Sequence, residues 1–323
     1  MKVILTGITG NLGSEIFRAL RRNGHQVIPL SRAENQEEAF KRLRGIFGKE
    51  ASFPQIIISD LLKHESSVAS KIADCIIHCA GIVRFGNAQN RNARMAGNIS
   101  SLAGELGIPL YHISTAFVWR PDDSTVRNDY EKDKKEAEKI VVDSKVPWAI
   151  FRPSILTGNS INGRLLQRSS YHAVWGAFLR AVKNSLNRVI RFPRFVGQTN
   201  ILPVNLAAEE IVDLVENNAR GVHFITNPSP PSSEWFVSTN LKCLGLRQRF
   251  DFPDCSWGEY EELDLAGPER ELSDYMKQFV PYWTGPQLFP GSRIRPVRID
   301  TRYVEKIVGH AQSRNWIRLS DPL

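Results

Sequence analysis

Tyr130 and Lys134 are the residues whose types and spacing point most directly to chemistry. They stand four positions apart in a charged, helix-patterned segment from about Asp129 to Ser144, so their side chains share one helix face. A nearby ammonium stabilises tyrosinate, and we therefore expect Lys134 to lower the pKa of the Tyr130 phenol towards neutrality. The pair predicts a proton donor for a carbonyl oxygen whose carbon receives a hydride.

Glycines at the first strand–helix turn predict a dinucleotide site. The turn is Thr6-Gly7-Ile8-Thr9-Gly10-Asn11-Leu12-Gly13, and it lies between an apolar run and an amphipathic helix. The first glycine permits a tight turn, the second lets the backbone approach a pyrophosphate, and the third lets the helix pack closely on the strand. The free N–H groups of the helix N-terminus favour the phosphates. The predicted phosphate-binding residues are Gly7, Thr9, Gly10, Asn11, Leu12 and Gly13.

The end of the second strand favours NADPH/NADP over NAD. Sites for NAD usually have an acidic residue there, which hydrogen-bonds the ribose 2′-OH. This chain has Leu30-Ser31-Arg32 instead. Arg32 can bind a 2′-phosphate in bidentate fashion, and Ser31 can donate a hydrogen bond to it.

Two further strand ends are expected to contact the cofactor. Asp60 and Leu61 follow the third strand, where the carboxylate can accept from the adenine amino group; capping of a helix is the alternative role for Asp60. Cys79, Ala80 and Gly81 follow the fourth strand and offer small residues under the cofactor.

Alternating strands and helices over residues 1–155 predict the scaffold for these groups. The predicted strands are 3–5, 26–30, 55–58, 74–78, 110–113 and 148–151, and helices intervene. This order indicates an α/β fold with a Rossmann-type doubly wound parallel sheet. Residues 156–323 are expected to form a smaller C-terminal substrate-binding lobe. Segment 201–226 is expected to return to the sheet, and Ser233 to cap the helix that follows.

These motifs resemble the extended short-chain dehydrogenase/reductase family, through TGxTGxLG at 6–13, Ser114-Thr115, the Tyr130/Lys134 pair and Arg152-Pro153-Ser154. The resemblance implies that Thr115 hydrogen-bonds the substrate oxygen, with Ser114 as the neighbouring candidate. It implies that Tyr130 is the acid and that Lys134 holds the nicotinamide ribose. It also implies that the cofactor runs along Pro153, Ser154 and Ile155.

Within that family, residues 112–118 and 151–163 look most like thioester reductases. That resemblance implies an NADPH-dependent reductase that transfers hydride to a carbonyl or an acyl thioester. The substrate would be a small molecule or a carrier-bound acyl chain, with an acyl carrier protein as a possible partner. Arg164 and Arg180 would meet its phosphopantetheine phosphate or acidic surface, or else be solvated surface residues.

Other functions on the same scaffold remain open. One is a ketone or hydroxysteroid-type reductase, or a sugar-nucleotide epimerase or dehydratase, although Arg32 speaks against the NAD that epimerases usually keep. A non-catalytic NADP-binding redox sensor is the alternative from a different class, and an intact Tyr130/Lys134 pair speaks against it.

Aromatic residues and one histidine near the motifs have two interpretations each. Tyr171, Trp175 and Phe178 are spaced four and three apart, which indicates a helical core or the lining of a substrate tunnel. His112 lies in an apolar strand and is expected to be a hydrogen-bonded core histidine, with a catalytic base as the alternative.

Composition narrows the partners and the setting. The net charge is +8, which favours an anionic partner, but the basic residues are scattered and no aromatic and basic platform for nucleic acid is present. No apolar run reaches the roughly 18 residues of a membrane span. The first residues show no secretion signal, and the four cysteines form no zinc-like set, so we expect buried free thiols, no metal and a cytoplasmic protein.

Overall fold

Parallel strands form the centre of the fold. The computed structural model describes residues 1–48, 52–63, 72–83, 89–120, 126–284 and 287–317. Its strands are β1 (Lys2–Thr6), β2 (Gln26–Ser31), β3 (Ile57–Ile58), β4 (Cys75–His78), β5 (Leu110–Ile113), β6 (Trp148–Pro153), β7 (Ile155–Thr157), β8 (Ile190–Arg191), β9 (Ile201–Pro203), β10 (Gly221–Ile225) and β11 (Phe250–Asp251). Its α-helices are α1 (Asn11–Arg22), α2 (Gln36–Phe47), α3 (Arg91–Leu106), α4 (Asp129–Asp143), α5 (Ser170–Asn184), α6 (Val204–Glu216), α7 (Ser233–Cys243), α8 (Trp257–Glu261), α9 (Gly267–Met276) and α10 (Thr301–Ser313).

The main sheet has seven strands in the order β10-β6-β5-β4-β1-β2-β3. Each neighbouring pair is parallel, as in the β1–β4 ladder, which aligns Thr6 with His78. The order reverses at β1, which has β2 on one side and β4 on the other, as expected for a doubly wound sheet. The predicted α/β fold class with a Rossmann-type sheet is confirmed.

The chain divides into two compact units. The first comprises residues 1–156, 204–226 and 289–294, and the second comprises 157–203, 227–288 and 295–323. In the first unit, one face of the sheet packs against α3 and α4 through a core that includes Ile4, Ile76, Ile99, Val141 and Ile150. On that core the carboxyl ends of the strands are held in fixed register.

The second unit has an aromatic core. Trp175 and Phe178 of α5 are fully buried and their rings lie 5.3 Å apart. Tyr171 lies one turn before them and is 4 % exposed. Trp175 also meets Trp283, and Phe178 meets Phe192 and Phe250. This packing supports the core interpretation of the three α5 aromatics, because each of them packs against other aromatic rings.

Two local predictions need correction. The third strand is only Ile57–Ile58, not 55–58, because its ladder with β2 pairs just Leu30 and Ser31. The cap of α7 is Ser232, not Ser233: the Ser232 side chain accepts from the Trp235 N–H, while the Ser233 hydroxyl bonds to Thr199. Propensity alone does not distinguish adjacent serines, because the extended backbone of the capping residue decides the role.

The four cysteines are free thiols, as predicted, but only Cys75 is buried, whereas Cys79, Cys243 and Cys255 are partly exposed. None of the helices within the described ranges combines the length and the apolar character that a bilayer crossing requires.

Two adjacent histidines lie in the core of the first unit, on β4 and β5. His78 and His112 are each 1 % exposed, and their rings are 5.2 Å apart. His78 Nδ1 hydrogen-bonds to Thr6 Oγ1 at 2.8 Å. His112 is a core residue as predicted, but the predicted hydrogen bond is wrong, since neither of its ring nitrogens has a partner among the described residues. Burial and the Lys134 ammonium lower the pKa of His78 to about 3, and burial, Lys134 and His78 lower the pKa of His112 well below its usual value.

We predict that His112→Leu leaves the unfolding free energy at pH 7 within about 1 kcal/mol of wild type or raises it, because an unpartnered polar group is lost. The depressed pKa of His112 means that only the unfolded state takes up its proton as the pH falls below about 6.5. His112 therefore costs stability at acid pH, and the variant should lose less stability between pH 7 and pH 4.5. Urea unfolding at both pH values measures this.

His78→Leu is the matched control, since it removes a bonded imidazole and should lower stability at pH 7. A loss of 2 kcal/mol or more from His112→Leu at pH 7, comparable to the cost of a broken buried hydrogen bond, would contradict the account.

Candidate active site at the carboxyl edge of the sheet

The glycine turn after β1 packs directly on the backbone that follows β4. Gly7 has a φ of +68°, and a Cβ there would lie 2.6 Å from both Cys79 C and Ala80 N. A Cβ at Gly13 would lie 2.2 Å from Gly7 O. Ala80 N donates to Thr6 Oγ1 at 3.0 Å, which closes the same junction. The turn is therefore held against the β4 end with no side chain in between, as a close backbone approach to a ligand requires.

The N-terminus of α1 points out of this turn. Gly10 is the N-cap and supplies no side-chain cap, and the first turn of α1 has no acidic residue. Its last turn has Arg21 and Arg22. This charge distribution leaves the positive end of the helix dipole available to an anion. Thr9, Asn11 and Leu12 lie in the same turn, with Leu12 buried beneath it.

Ser31 and Arg32 lie at the neighbouring strand end. Ser31 closes β2, is buried, and its carbonyl accepts from Ser59 N at 3.1 Å. Arg32 follows and is exposed. Arg32 therefore lies one residue beyond the carboxyl end of β2, the strand that neighbours β1 in the sheet.

Asp60 and Leu61 follow β3. The Asp60 carboxylate accepts from Leu62 N at 3.0 Å, so it caps the turn that it begins. Leu61 is 8 % exposed and packs in the core beneath α3. Asp60 keeps one carboxylate oxygen beyond this bond, while the Leu61 side chain faces the protein.

Tyr130 and Thr115 come together at the end of β5. Tyr130 lies in the first turn of α4, and Thr115 caps the short helical turn after β5; their side chains are hydrogen-bonded to each other. Burial raises the pKa of the Tyr130 phenol well above its usual value, the Thr115 hydrogen bond opposes this, and the Glu131 and Asp133 carboxylates add to it. In the protein alone, the expected lowering of this pKa by Lys134 is therefore not found, because removal from water outweighs nearby charge.

Lys134 lies one turn further along α4, and its ammonium is buried. Its Nζ donates to Ile113 O at 2.9 Å. Burial lowers the pKa of Lys134, and Cys79, Glu138 and Asp133 oppose that shift. A Cβ at Gly81 would lie 3.2 Å from Nζ, so the glycine leaves room for the ammonium. Lys134 thus links the ends of β4 and β5.

Two buried carboxylates that sequence reasoning missed hold α4 in place. Glu138 forms a bidentate pair with Arg152 of β6, at 2.9 and 2.6 Å. Asp133 accepts from Asn92 N and Ala93 N, both at 3.0 Å, and so caps the start of α3. The signal for Glu138 was its spacing, because it continues the Tyr130–Lys134 stripe by one more turn.

Unpartnered hydroxyls occur where three neighbouring strands end. Ser114, Ser154 and Thr226 each follow a strand directly and are each under 9 % exposed. Their hydroxyl oxygens have no hydrogen-bond partner within the part of the chain that the structure describes. Backbone bonds extend the ladders through them, from Ser114 N to Phe151 O at 2.8 Å and from Ser154 N to Ile225 O at 3.1 Å. Thr226 was not anticipated, since a single threonine after a strand has no sequence signature.

The remaining predicted residues lie as follows. Pro153 ends β6 and Ile155 begins β7, on either side of Ser154. Arg164 is exposed and Arg180 is half-buried, both in the second unit. No group of three or more potential metal ligands occurs among the described residues.

Several proteins of known sequence or structure are similar to this chain. The chain is 26 % identical over 233 residues to the hybrid PKS-NRPS synthetase pvhA of Talaromyces variabilis. The alignment covers 66 % of this chain and 6 % of that protein. A UDP-glucose 4-epimerase of Neisseria meningitidis serogroup B is 34 % identical over 88 residues, 27 % of this chain and 26 % of that one. The chain thus spans well under two thirds of the length of these relatives.

The terminal R domain from the myxalamid PKS-NRPS biosynthetic pathway has the same fold, with a TM-score of 0.74 at 20 % identity, over 99 % of this chain and 92 % of that one. The family described as the RmlD substrate binding domain matches residues 1–168, more than half of the 323 residues. These matches confirm the predicted resemblance and support an oxidoreductase. The chain belongs to the RmlD substrate binding domain family, within the extended short-chain dehydrogenases/reductases.

Proposed function

We propose that this chain is an NADPH-dependent reductase that transfers hydride to the carbonyl carbon of an acyl thioester or a related carbonyl substrate. With a thioester, the C–S bond then breaks, so the products are an aldehyde, the free thiol and NADP⁺. The observation that carries the proposal is the hydrogen-bonded Tyr130–Thr115 pair, which lies at the same sheet edge as the glycine turn. The bound nicotinamide would supply the hydride.

The residues around the glycine turn fit that cofactor. Gly7 and Gly13 are positions where a Cβ would collide with backbone, so the turn packs closely on the β4 end and on the start of α1. The first turn of α1 has no acidic residue, and its free N–H groups suit a pyrophosphate. The exposed Arg32 guanidinium would bind the 2′-phosphate of NADPH. Asp60 would contact the adenine, and Cys79, Ala80, Pro153 and Ile155 would pass along the cofactor.

Tyr130 and Thr115 would act on the substrate oxygen. Because burial raises the phenol pKa, Tyr130 keeps its proton at neutral pH and is present as the acid form. Its O–H would donate to the carbonyl oxygen as negative charge develops there, and the Thr115 hydroxyl would donate beside it. Lys134, fixed by Ile113 O, would hold a ribose hydroxyl and favour a tyrosinate after the proton leaves.

The likeness to the R domain and to the PKS-NRPS synthetase supports a carrier-bound acyl substrate, and with it an acyl carrier protein as partner. The epimerase match is confined to 88 residues. It therefore supports a shared cofactor scaffold more than a shared substrate.

We expect the purified protein to oxidise NADPH when an acyl-coenzyme A or an acyl carrier thioester is present. The loss of nicotinamide absorbance measures the rate. Tyr130→Phe should lower kcat by at least ~100-fold, because a positioned acid typically contributes that much. Tyr111→Phe, on β5 with its ring stacked on Phe151, is the control and should keep the wild-type rate.

Equal rates for Tyr130→Phe and wild type would refute the assigned acid. If ketones are reduced and thioesters are not, the proposed substrate class changes from thioesters to ketones. Tight NADPH binding with turnover of nothing would favour the non-catalytic sensor.

Cofactor choice is tested separately at Arg32. Arg32→Gln should raise the Kd for NADPH by about 10-fold or more and leave the Kd for NADH unchanged. Only NADPH has a 2′-phosphate, and the variant removes the charged hydrogen bond to it. Fluorescence titration measures both constants. Arg44→Gln, an exposed arginine on α2, is the control. A wild-type preference for NADH would contradict the assignment.

A further inference from the structure

We propose that Arg168 and Arg180 form an anion-binding site on α5 of the second unit, and that it takes the phosphate of a phosphopantetheine arm. The choice of this phosphate rests on the proposed function, in which the substrate is a thioester. The site itself rests on the geometry of α5 and can be tested without turnover.

The site is built on a four-residue spacing. Arg168, His172, Gly176 and Arg180 are each four positions apart, and the last three lie on α5. Within α5, residues at this spacing share one face, and Arg168 lies two positions before the first residue of the helix. Gly176 has no side chain, so the helix backbone is open at this position.

Both guanidinium groups reach that opening. A Cβ at Gly176 would lie 3.0 Å from Arg168 Nη2 and 3.7 Å from Arg180 Nη1. Two donors that lie this close to a single point can both bond to one phosphate, and planar guanidinium groups favour that contact. This convergence is not visible in the sequence, where the two arginines are twelve residues apart.

The two sides of the site are held by aromatic rings. The Arg180 guanidinium lies over the Tyr275 ring at 5.4 Å, and Tyr275 packs on Phe279. His172, between the arginines, accepts from Ser169 N at 3.0 Å through Nδ1, and its ring meets Trp316 edge-on at 4.8 Å. The helix start is therefore fixed, and less ordering is required when an anion binds.

The surrounding charge is positive and is not neutralised locally. Arg168 and His310 act on His172 as like charges, and Arg164 and Arg314 act in the same way on His310. Residues 157–203 contain no aspartate or glutamate. Within the described residues, no carboxylate lies within salt-bridge distance of Arg164, Arg168, Arg180 or Arg314.

Acidic residues on α9, which packs against α5, are occupied elsewhere. Glu269 pairs with Arg191 at 2.8 Å, and Asp274 pairs with Lys277 at 3.0 Å. Glu271 accepts from Asn184 at the far end of α5. These carboxylates are therefore paired with other residues, and the Arg168–Arg180 pair remains available to a ligand.

Calorimetric titration of the full chain with phosphopantetheine and with pantetheine tests the site directly. Wild type should bind phosphopantetheine at least ~10-fold more tightly than pantetheine, since charge-assisted hydrogen bonds are lost without the phosphate. Arg168→Gln and Arg180→Gln should each remove most of that difference. Arg188→Gln, an exposed arginine just beyond α5, should not.

Gly176→Ala is the second variant, and it guards against loss of fold. Alanine favours helix over glycine, so this variant should be at least as stable as wild type. Its Cβ would push the Arg168 guanidinium out of the opening and weaken phosphopantetheine binding several-fold. Lower affinity in a more stable protein is not explained by unfolding.

Kinetics then identify the source of the phosphate. With acyl-phosphopantetheine, Arg168→Gln should raise KM about 10-fold and leave kcat unchanged, whereas KM for the matching acyl-pantetheine should not move. The same rise with acyl-coenzyme A and with acyl carrier protein supports the shared phosphate. A rise with the carrier protein alone would overturn the proposal in favour of a protein surface.

Equal affinity of wild type for phosphopantetheine and pantetheine would refute the site, whatever the enzyme reduces. If no thioester is reduced but phosphopantetheine still binds through Arg168 and Arg180, the proposed function fails and the anion site stands.

Discussion

The packing of α4 on the carboxyl ends of β4, β5 and β6 is the interaction on which the candidate site depends. Three buried polar residues on one face of α4 make it: Tyr130 bonds to Thr115, Lys134 to Ile113 O, and Glu138 to Arg152. A buried charge with no partner is costly, and each of these side chains has one. The position of the helix is therefore determined by bonds that must all be satisfied together.

The glycine turn depends on the same sheet edge. Gly7 packs on the backbone at Cys79 and Ala80, and Gly81 is close to the Lys134 ammonium. A single short segment after β4 thus packs against both the glycine turn and the buried lysine. The register of neighbouring parallel strands brings the glycine turn and the Lys134 side chain to the same sheet edge, since Thr6 of β1 is aligned with His78 of β4.

Sequence patterns predicted the sheet and the main motifs, because they are local. The strand–helix alternation and the 3.6-residue period predicted the C-terminal end of α4 to within one residue. That helix puts Tyr130 and Lys134 on the same face. The predicted direction of the Tyr130 pKa shift was wrong, because burial depends on the residues that pack around the phenol and the spacing of two residues does not reveal it. His112 fails for the same reason: its strand was clear, but its lack of a partner depends on what packs around the ring. Arg168 and Arg180 converge only once Gly176 is seen on the surface of a folded helix.

The proposed function requires hydride to pass from NADPH to a thioester carbonyl at this sheet edge. It is tested with NADPH that has deuterium at the transferable position of nicotinamide C4, an acyl thioester and mass spectrometry of the product. We expect one deuterium per transfer on the carbon that was the thioester carbonyl. An unlabelled product, or substrate rearranged with the deuterium still on the cofactor, would contradict it.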